Sequence, residues 1–226
     1  MIVDSIILAR GGSRGIPRKN IINFCGKPLI YWTIRQCLSS KNIRNVWVSS
    51  DSEEILKCAK DFGAKEISRP KKIANHNVSS EKSWLHAIDY IEKKVGLPDI
   101  ILGPQVTSPL REFSDFDRAI EKFLKGSFDS MFSCSVAEDL FLWEESNGRL
   151  KSSNYDYLNR KMRQDLSKQY IENGSFYLFK PKILRENKNR LGGKIGMIEM
   201  DFWKSFEIDN WTDVKMCSGL MKEFLT

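Results

Sequence analysis

The segment best suited to chemistry is a glycine-rich turn near the amino terminus. Gly11, Gly12 and Gly15 lie within residues 8–20, LARGGSRGIPRKN, directly after a short apolar run. Glycine allows backbone N–H groups to approach a phosphate chain closely. Four cations lie on the same turn: Arg10, Arg14, Arg18 and Lys19. The spacing fits neither the dinucleotide fingerprint nor a Walker loop, so the residues alone allow a phosphate-binding loop or a solvated, charged turn.

Two carboxylates near the carboxyl end could hold a divalent cation. If residues 205–209, SFEID, form a strand, Glu207 and Asp209 point to the same face because side chains alternate. Paired carboxylates offer the hard oxygen ligands that Mg²⁺ prefers. Such pairs are also common on solvent-facing strands without a metal, so both readings remain open.

Three further polar segments could contact a ligand. They are Ser68-Arg69-Pro70 with Ser79-Ser80 ten residues on, QVTSPLR at 105–111, and RQDL at 163–166 followed by ENGSFY at 172–177. Ligands of open α/β sheets bind beyond the carboxyl ends of strands, which makes Gln105 a candidate contact. Arg163 could pair bidentately with a carboxylate, and Arg111 could be a ligand contact or, equally, a structural partner for a carboxylate.

Alone, these segments also have ordinary explanations. A basic turn followed by a helix cap accounts for Arg69 and Ser80, and a Phe-Tyr strand is usually core. Together, however, the segments resemble the signatures of the acylneuraminate cytidylyltransferases, enzymes that make CMP-sialic acid and its relatives. QVTSPLR is similar to the family's QPTSPLR, and RQDL to its Arg-Gln-Xaa-Leu. The similarity extends along nearly the whole chain.

The resemblance implies a site. The opening loop would grip the triphosphate of CTP, and the catalytic residues would be Arg10, Lys19 and Asp209. Mg²⁺ would be held by Glu207 and Asp209, although Glu207 replaces the first Asp of the family's Asp-Ile-Asp motif. The implied nucleotide and sugar contacts are Gly11, Gly12, Ser13, Asn20, Arg69, Ser80, Gln105, Arg163, Asn173 and Tyr177.

The implied reaction needs no protein nucleophile. A hydroxyl of an acidic sugar attacks the α-phosphorus of CTP and pyrophosphate leaves, while cations stabilise the phosphate charge. Two departures concern the sugar. Leu140 stands where the family commonly has a basic residue, and residues 190–196 lack the aromatics that form the N-acetyl pocket of sialic-acid enzymes. Both argue against ordinary N-acetylneuraminate and keep an octulosonate or a phosphonate open as the acceptor.

Alternating strand and helix patterns indicate how these residues are positioned. Strands are predicted at 2–9, 45–49, 99–102, 130–136 and 175–179. Helices are predicted from Pro28 (buried stripe Ile30, Ile34, Cys37, Leu38), after an Asp51 cap, at 81–94, at 116–124 and from Trp211. This alternation predicts an α/β fold, a Rossmann-like, doubly wound, mostly parallel sheet in three layers.

Residues 137–169 break the alternation. They are polar and contain Asn147-Gly148, a hairpin turn signal. We expect a single nucleotidyltransferase domain, 1–226, with this stretch as a protruding β-hairpin arm. Because an isolated hairpin is marginal in water, the arm needs a partner surface. The resemblance implies a homodimer, with apolar contacts from Tyr155, Tyr157, Leu158 and Met162; the alternative is an arm folded back over its own domain.

The composition argues against other classes of protein. The chain has 36 basic and 29 acidic residues, a net charge of +7, but the charges are scattered. A non-catalytic RNA-binding or nucleotide-binding module is therefore the weaker alternative, and no nucleic acid partner is expected. Five widely spaced cysteines, with His76 and His86, predict neither a disulfide framework nor a zinc site. No apolar stretch approaches about 18 residues, and no signal-peptide pattern opens the chain, so we expect a cytoplasmic protein without a membrane partner.

Overall fold

The computed structural model of this protein describes residues 1–13, 15–75, 77–137, 140–165 and 167–225. Several residues considered above, namely Arg14, His76 and Leu166, lie outside the described residues, and so do residues 138 and 139 of the predicted arm and the side chain of Arg163. None of the helices in the described ranges is long and apolar enough to cross a membrane.

Eleven strands and six α-helices form in the described part of the chain. The strands are β1 (Val3–Leu8), β2 (Asn23–Phe24), β3 (Lys27–Pro28), β4 (Asn45–Ser50), β5 (Lys65–Ser68), β6 (Ile100–Pro104), β7 (Ser130–Val136), β8 (Trp143–Ser146), β9 (Arg149–Ser152), β10 (Tyr170–Phe179) and β11 (Ile195–Glu199). The helices are α1 (Leu29–Ser39), α2 (Glu53–Asp61), α3 (Ser80–Val95), α4 (Phe113–Lys125), α5 (Pro181–Asn187) and α6 (Trp211–Phe224). All five predicted strands and all five predicted helices form.

Seven strands build the central sheet, in the order β11-β7-β10-β6-β1-β4-β5. β1 is parallel to β4 and β6, β4 to β5, and β7 to β11. Only β10 is reversed among these strands, since it is antiparallel to both of its neighbours, β6 and β7. The prediction of a mostly parallel, doubly wound α/β sheet is confirmed.

Helices cover both faces of the sheet, because successive strand residues point to opposite sides. On one face, Ile7 and Leu102 pack with the apolar stripes of α1, α2, α4 and α6. On the other, Ile6 and Ile101 pack with α3 and α5, where Trp84 and Leu184 are buried. The sheet and the helices on its two faces form three layers. The helices cover the faces, so the loops lie at the ends of the strands.

Local details correct three of the expectations. Asp51 does not cap α2; Ser52 is the N-cap, and its hydroxyl accepts from the Ile55 N–H. Leu38 is exposed, because the buried stripe of α1 ends at Cys37. Residues 206–209 are not a strand: they follow a short 3₁₀ turn at Phe202–Ser205.

The predicted hairpin forms outside the central sheet. β8 and β9 pair antiparallel as a separate two-stranded sheet, and the turn residues Asn147 and Gly148 both have positive φ, 52° and 71°. These are the values a tight hairpin turn needs, which explains Asn-Gly at this point. At its base, the Asn154 side chain donates to the Leu140 carbonyl at 2.7 Å and to Gln169 Oε1 at 2.9 Å.

Candidate active site

The carboxyl ends of β1, β5 and β6 open onto a cleft of about 680 Å³. This edge is where open α/β sheets bind ligands. Nine of the site residues that the resemblance implies line it: Arg10, Ser13, Lys19, Asn20, Arg69, Ser80, Gln105, Glu207 and Asp209. Residues from the two ends of the chain, about 200 positions apart, therefore meet in one site.

The glycine-rich loop is fixed by bonds to its neighbours. Asn20, which is buried, donates through Nδ2 to the carbonyl of Arg10 at 2.9 Å. The N–H of Gly11 donates to Oδ1 of Asp51 at 2.9 Å, so this amide is engaged by the end of β4 rather than by the cleft. A Cβ on Gly15 would overlap the backbone carbonyl of Asp209, whereas one on Gly12 would meet nothing within 4 Å.

Three of the cleft's cations come from two segments, the glycine-rich loop and the end of β5. Lys19 Nζ lies 2.8 Å from Asp209 Oδ1, and Arg10 follows β1. Arg69 follows β5 and is buried, and its Nε has no hydrogen-bond partner among the described residues. Burial lowers the pKa of Arg69, Asp51 raises it and the neighbouring Arg10 lowers it further. The repulsion between the Arg10 and Arg69 side chains therefore favours binding of an anion at this point of the cleft.

Arg18 does not join these cations, although the sequence placed it on the same turn. It has a left-handed conformation, with φ 56°, and its guanidinium pairs with Glu54 at the protein surface. Of the four cations expected on the loop, Arg10 and Lys19 line the cleft, and Arg14 is not described.

Glu207 and Asp209 share the cleft without being on a strand. The Ile208 N–H donates to the Thr107 carbonyl at 2.8 Å, which fixes the segment against the QVTSPLR loop. Burial raises the pKa of Glu207, and the Asp209 carboxylate raises it further, against the opposing effects of Lys19 and a Thr107 hydrogen bond. In the part of the chain that is described, no group of three or more His, Cys, Asp or Glu side chains could hold a metal.

Of the two roles considered for Arg111, the structural one holds, but carbonyl and hydroxyl oxygens rather than a carboxylate accept its hydrogen bonds among the described residues. Its guanidinium is fully buried and donates to the carbonyls of Ser108, Ser175 and Gln105, and to Thr33 Oγ1. Burial lowers the pKa of Arg111 to about 10. It thus fixes the loop that carries Gln105 onto β10.

Asn173 and Tyr177 lie beside the cleft but do not line it. Asn173 Oδ1 accepts from Ser133 Oγ at 2.6 Å and from the Ser175 N–H at 3.1 Å, at a bulge where Gly174 has φ +65°. Tyr177 is buried and its hydroxyl donates to Glu172 Oε1 at 2.5 Å. Their roles as sugar contacts, like that of Arg163, stay predictions.

Trp84 and Arg190 line the cleft, but neither was expected as a ligand contact. Trp84 lies in the helix predicted at 81–94, and Arg190 lies in the stretch 190–196, noted only for lacking aromatics. Neither lies in a motif, so no local pattern pointed to them. Topology brings them together, because α3 and the loop before β11 cover the same end of the sheet.

A doubly wound sheet with cations and paired carboxylates at its carboxyl edge defines an α/β protein whose cleft is suited to a phosphate-bearing ligand. The sequence profile of the family described as Cytidylyltransferase matches residues 5–191. The chain belongs to that family.

Individual relatives differ in length. N-acylneuraminate cytidylyltransferase A of Danio rerio is 36% identical over 211 residues, covering 92% of this chain and 48% of that protein. The chain thus spans about half the length of the first relatives it matches. Pseudaminic acid cytidylyltransferase of Campylobacter jejuni is 35% identical over 177 residues, which cover 76% of this chain and 75% of the relative.

The fold also matches a solved structure. CMP:2-keto-3-deoxy-manno-octonic acid synthetase complexed with CTP superposes with a TM-score of 0.72 over 100% of both chains. Sequence identity is 16%, so this likeness supports the fold.

Proposed function

We propose that this protein transfers the CMP part of CTP to a hydroxyl of an acidic, nonulosonic-type sugar and releases pyrophosphate. The observation that carries the proposal is the convergence of Arg10, Lys19 and Arg69 on one cleft beside two carboxylates. Membership of the cytidylyltransferase family supports CTP as the donor. The names of the relatives, acting on N-acylneuraminate and pseudaminic acid, support an acidic sugar as the acceptor.

Each cation has a physical task. Arg10 and Lys19 neutralise the triphosphate, and fixed charges of this kind stabilise the extra negative charge of the transition state. Arg69 and Ser80 bind the cytidine part from the segment after β5, and Gln105 contacts the ribose or the sugar. Arg163 pairs with the sugar carboxylate, since a guanidinium matches its geometry. With both substrates held in this way, the sugar hydroxyl can reach the α-phosphorus directly.

Mg²⁺ fits the carboxylate pair. Glu207 and Asp209 line the cleft together, and the Asp209 carboxylate makes ionisation of Glu207 less favourable, which a divalent cation would relieve. Mg²⁺ is commonly held by one or two carboxylates, with phosphate and water completing its shell. When bound, the ion would supply Lewis-acid stabilisation of the phosphate charge. Glu207 and Asp209 would hold it, and Lys19 orients Asp209.

We also propose a homodimer in the cytoplasm, assembled through the arm. Several large apolar side chains of this stretch are exposed: Leu140, Leu142, Trp143, Leu150, Tyr157, Leu158 and Met162. Clustered exposed apolar residues favour a protein partner. Tyr155 is better described as part of the arm's own cluster, because its ring lies 4.5 Å from Phe141 and 5.9 Å from Trp143.

The test is pyrophosphate release from each of the four nucleoside triphosphates with a panel of nonulosonic and octulosonic acids. We expect turnover with CTP and an acidic sugar, and rates with UTP, ATP and GTP at least about 100-fold lower. No pyrophosphate from CTP with any acidic sugar would refute the proposal. Steeply salt-dependent RNA binding that ignores loss of Asp209 would instead support a binding module.

A further inference from the structure

A buried lysine lies just before residues 206–209, the carboxylate segment of the cleft. Lys204 is in the preceding 3₁₀ turn and is only 3% exposed. Its Nζ donates to Oε2 of Glu112 and to Oδ2 of Asp115, both at 2.9 Å. Glu112 is the N-cap of α4, and Asp115 lies in the first turn of that helix. The ion pairs therefore attach the chain that leads into the carboxylate segment to the start of α4.

The same two stretches of chain meet again closer to the cleft. The Ile208 N–H donates to the Thr107 carbonyl at 2.8 Å, and the Thr107 side chain makes a hydrogen bond with Glu207. Ile208 lies four positions after Lys204 on one stretch. Thr107 lies five positions before Glu112 on the other. The two stretches therefore run antiparallel and are joined at both ends.

A different element fixes the far end of the carboxylate segment. The N–H groups of Asp209 and Asn210 both donate to Oδ2 of Asp213, in the first turn of α6, at 2.8 and 2.9 Å. The Asp209 side chain also has its ion pair with Lys19. Loss of the ion pairs at the start of α4 would therefore displace Glu207 more than Asp209, and would alter the spacing of the two carboxylates.

Stability alone is a poor explanation for a buried charge at position 204. Removing an ammonium group from water is costly, and apolar residues of similar size often replace buried ion pairs without loss of stability. Asp115 already has another cation, because Arg118 Nη2 lies 2.5 Å from its Oδ1 on the solvent side. What Lys204 adds is a directional link between two stretches that are distant in the sequence.

We propose that Lys204 is a positioning residue, which holds the carboxylate segment against the loop at 105–111 so that Glu207 and Asp209 can bind one divalent cation together. This assignment rests on the proposed function. Lys204 does not line the cleft, so it acts through the segment. Groups that orient metal-binding side chains strongly affect metal affinity although they do not touch the ion.

The experiment measures the Mg²⁺ dependence of Lys204→Met, Lys204→Arg and Glu112→Gln. Lys204→Arg keeps the charge, and Glu112→Gln weakens one ion pair at a half-exposed side chain, where unfolding is less of a risk. Arg118→Met is the matched control, since it removes a cation from the same Asp115 without changing the carboxylate segment. Pyrophosphate release is followed across a Mg²⁺ titration. Titration calorimetry gives CTP affinity with and without Mg²⁺, independently of turnover.

In Lys204→Met, the Mg²⁺ concentration for half-maximal rate should rise at least about fivefold, which is below the roughly 10–100-fold effect of groups bonded directly to a metal ligand. The gain in CTP affinity that Mg²⁺ gives the wild type should shrink by a similar factor. CTP affinity without Mg²⁺ should stay within about twofold, because Lys19 remains in place. Lys204→Arg should restore most of the Mg²⁺ response, Glu112→Gln should show a smaller shift, and Arg118→Met should match the wild type.

An unchanged Mg²⁺ dependence in Lys204→Met, even with a lower melting temperature, would make Lys204 a purely structural residue and overturn the assignment. An equal shift in Arg118→Met would do the same, because it would trace the effect to the charge of α4. If Lys204→Met does not fold, Glu112→Gln decides, and a wild-type Mg²⁺ response in that variant would refute the proposal. Failure of the proposed function is distinguishable, because the wild type itself would then release no pyrophosphate from CTP with any acidic sugar at any Mg²⁺ concentration.

Discussion

The ammonium group of Lys19 lies 2.8 Å from Oδ1 of Asp209 and 2.9 Å from the carbonyl oxygen of Ile208. The two side chains are 190 positions apart in the sequence. Their contact ties the glycine-rich loop to the carboxylate segment, so the residues expected to bind phosphate and metal form one unit. A change at either end should therefore affect the other.

Asp209→Asn should abolish most turnover without unfolding the protein. The amide oxygen can still accept from Lys19, but the charge that a divalent cation needs is lost. We expect kcat to fall at least about 100-fold, with a melting temperature close to that of the wild type. Pyrophosphate release measured across a Mg²⁺ titration checks this.

The matched control is Asp61→Asn, at the end of α2 and away from the cleft. It should leave both the rate and the Mg²⁺ dependence unchanged. Full wild-type activity in excess chelator would contradict the metal requirement, whatever the variant does.

Gly15→Ala should damage the site, whereas Gly12→Ala should be tolerated by the fold. The added methyl at Gly15 overlaps the backbone carbonyl of Asp209, and that at Gly12 enters open space. Overpacking typically costs about 1–3 kcal/mol, so Gly15→Ala should lower the melting temperature by at least about 3 °C. Thermal unfolding of both variants tests this, and equal melting temperatures would show that the close packing of Gly15 on Asp209 is not maintained in solution.

Glu207→Gln should stabilise the metal-free protein while reducing activity. Glutamine can still accept the Thr107 hydrogen bond but carries no charge next to Asp209. The pKa of Glu207 is raised in the folded protein, so its ionisation costs stability as pH rises from about 4.5, its ordinary value, through the folded pKa. The melting temperatures of variant and wild type should coincide near pH 4.5 and diverge at higher pH, with the variant more stable.

Adding Mg²⁺ with CTP gives the control for this prediction. Ligands that bind the folded state raise its melting temperature, so the wild type should gain stability and the variant should gain much less. A variant that is less stable than the wild type at pH 7.5 without Mg²⁺ would argue that Glu207 serves the fold rather than the ion.

Much of the fold could be predicted because hydrophobic periodicity reports burial directly. The apolar runs of β1 and β7 and the stripe of α3 were all recognisable, as was the Asn147-Gly148 turn. β2, β3, β5, β11 and α5 were missed. β2 and β3 have two residues each, β5 and β11 are edge strands of four and five residues, and α5 has only seven. Such elements form because the rest of the sheet provides their partners. Those partners are distant in the sequence, so a local sequence pattern does not reveal them.

For the site, the sequence could indicate which residues meet but not how they are held. The motif resemblance predicted that Lys19 and Asp209 belong to one site. Their direct ion pair also depends on the path of residues 206–209, which is fixed by the hydrogen bond from the Ile208 N–H to the Thr107 carbonyl. The strand expected for Glu207 and Asp209 was wrong, because the segment pairs with Thr107 by a single backbone bond instead of a ladder. Arg190 was missed since its environment is assembled by three separate elements.

The arm prediction concerns subunit association. Leu158 and Met162 are 76% and 69% exposed, so each leaves most of its apolar surface in water unless a partner covers it. β8 and β9 bond to each other as a separate sheet, and that pairing alone is marginal. Covering these side chains on a second copy of the chain would stabilise both arms.

Sedimentation at micromolar concentration should therefore give a dimer, and Leu158→Asp with Met162→Asp should give a monomer. Leu97→Asp, at an exposed apolar site outside the arm, is the control and should remain dimeric. Deleting residues 146–153 should raise the KM for the sugar several-fold more than the KM for CTP, because the family resemblance implies that the arm helps to close the sugar pocket of the neighbouring subunit. A fully active monomer would rule out a functional dimer, and equal losses for both substrates would assign the arm to folding alone.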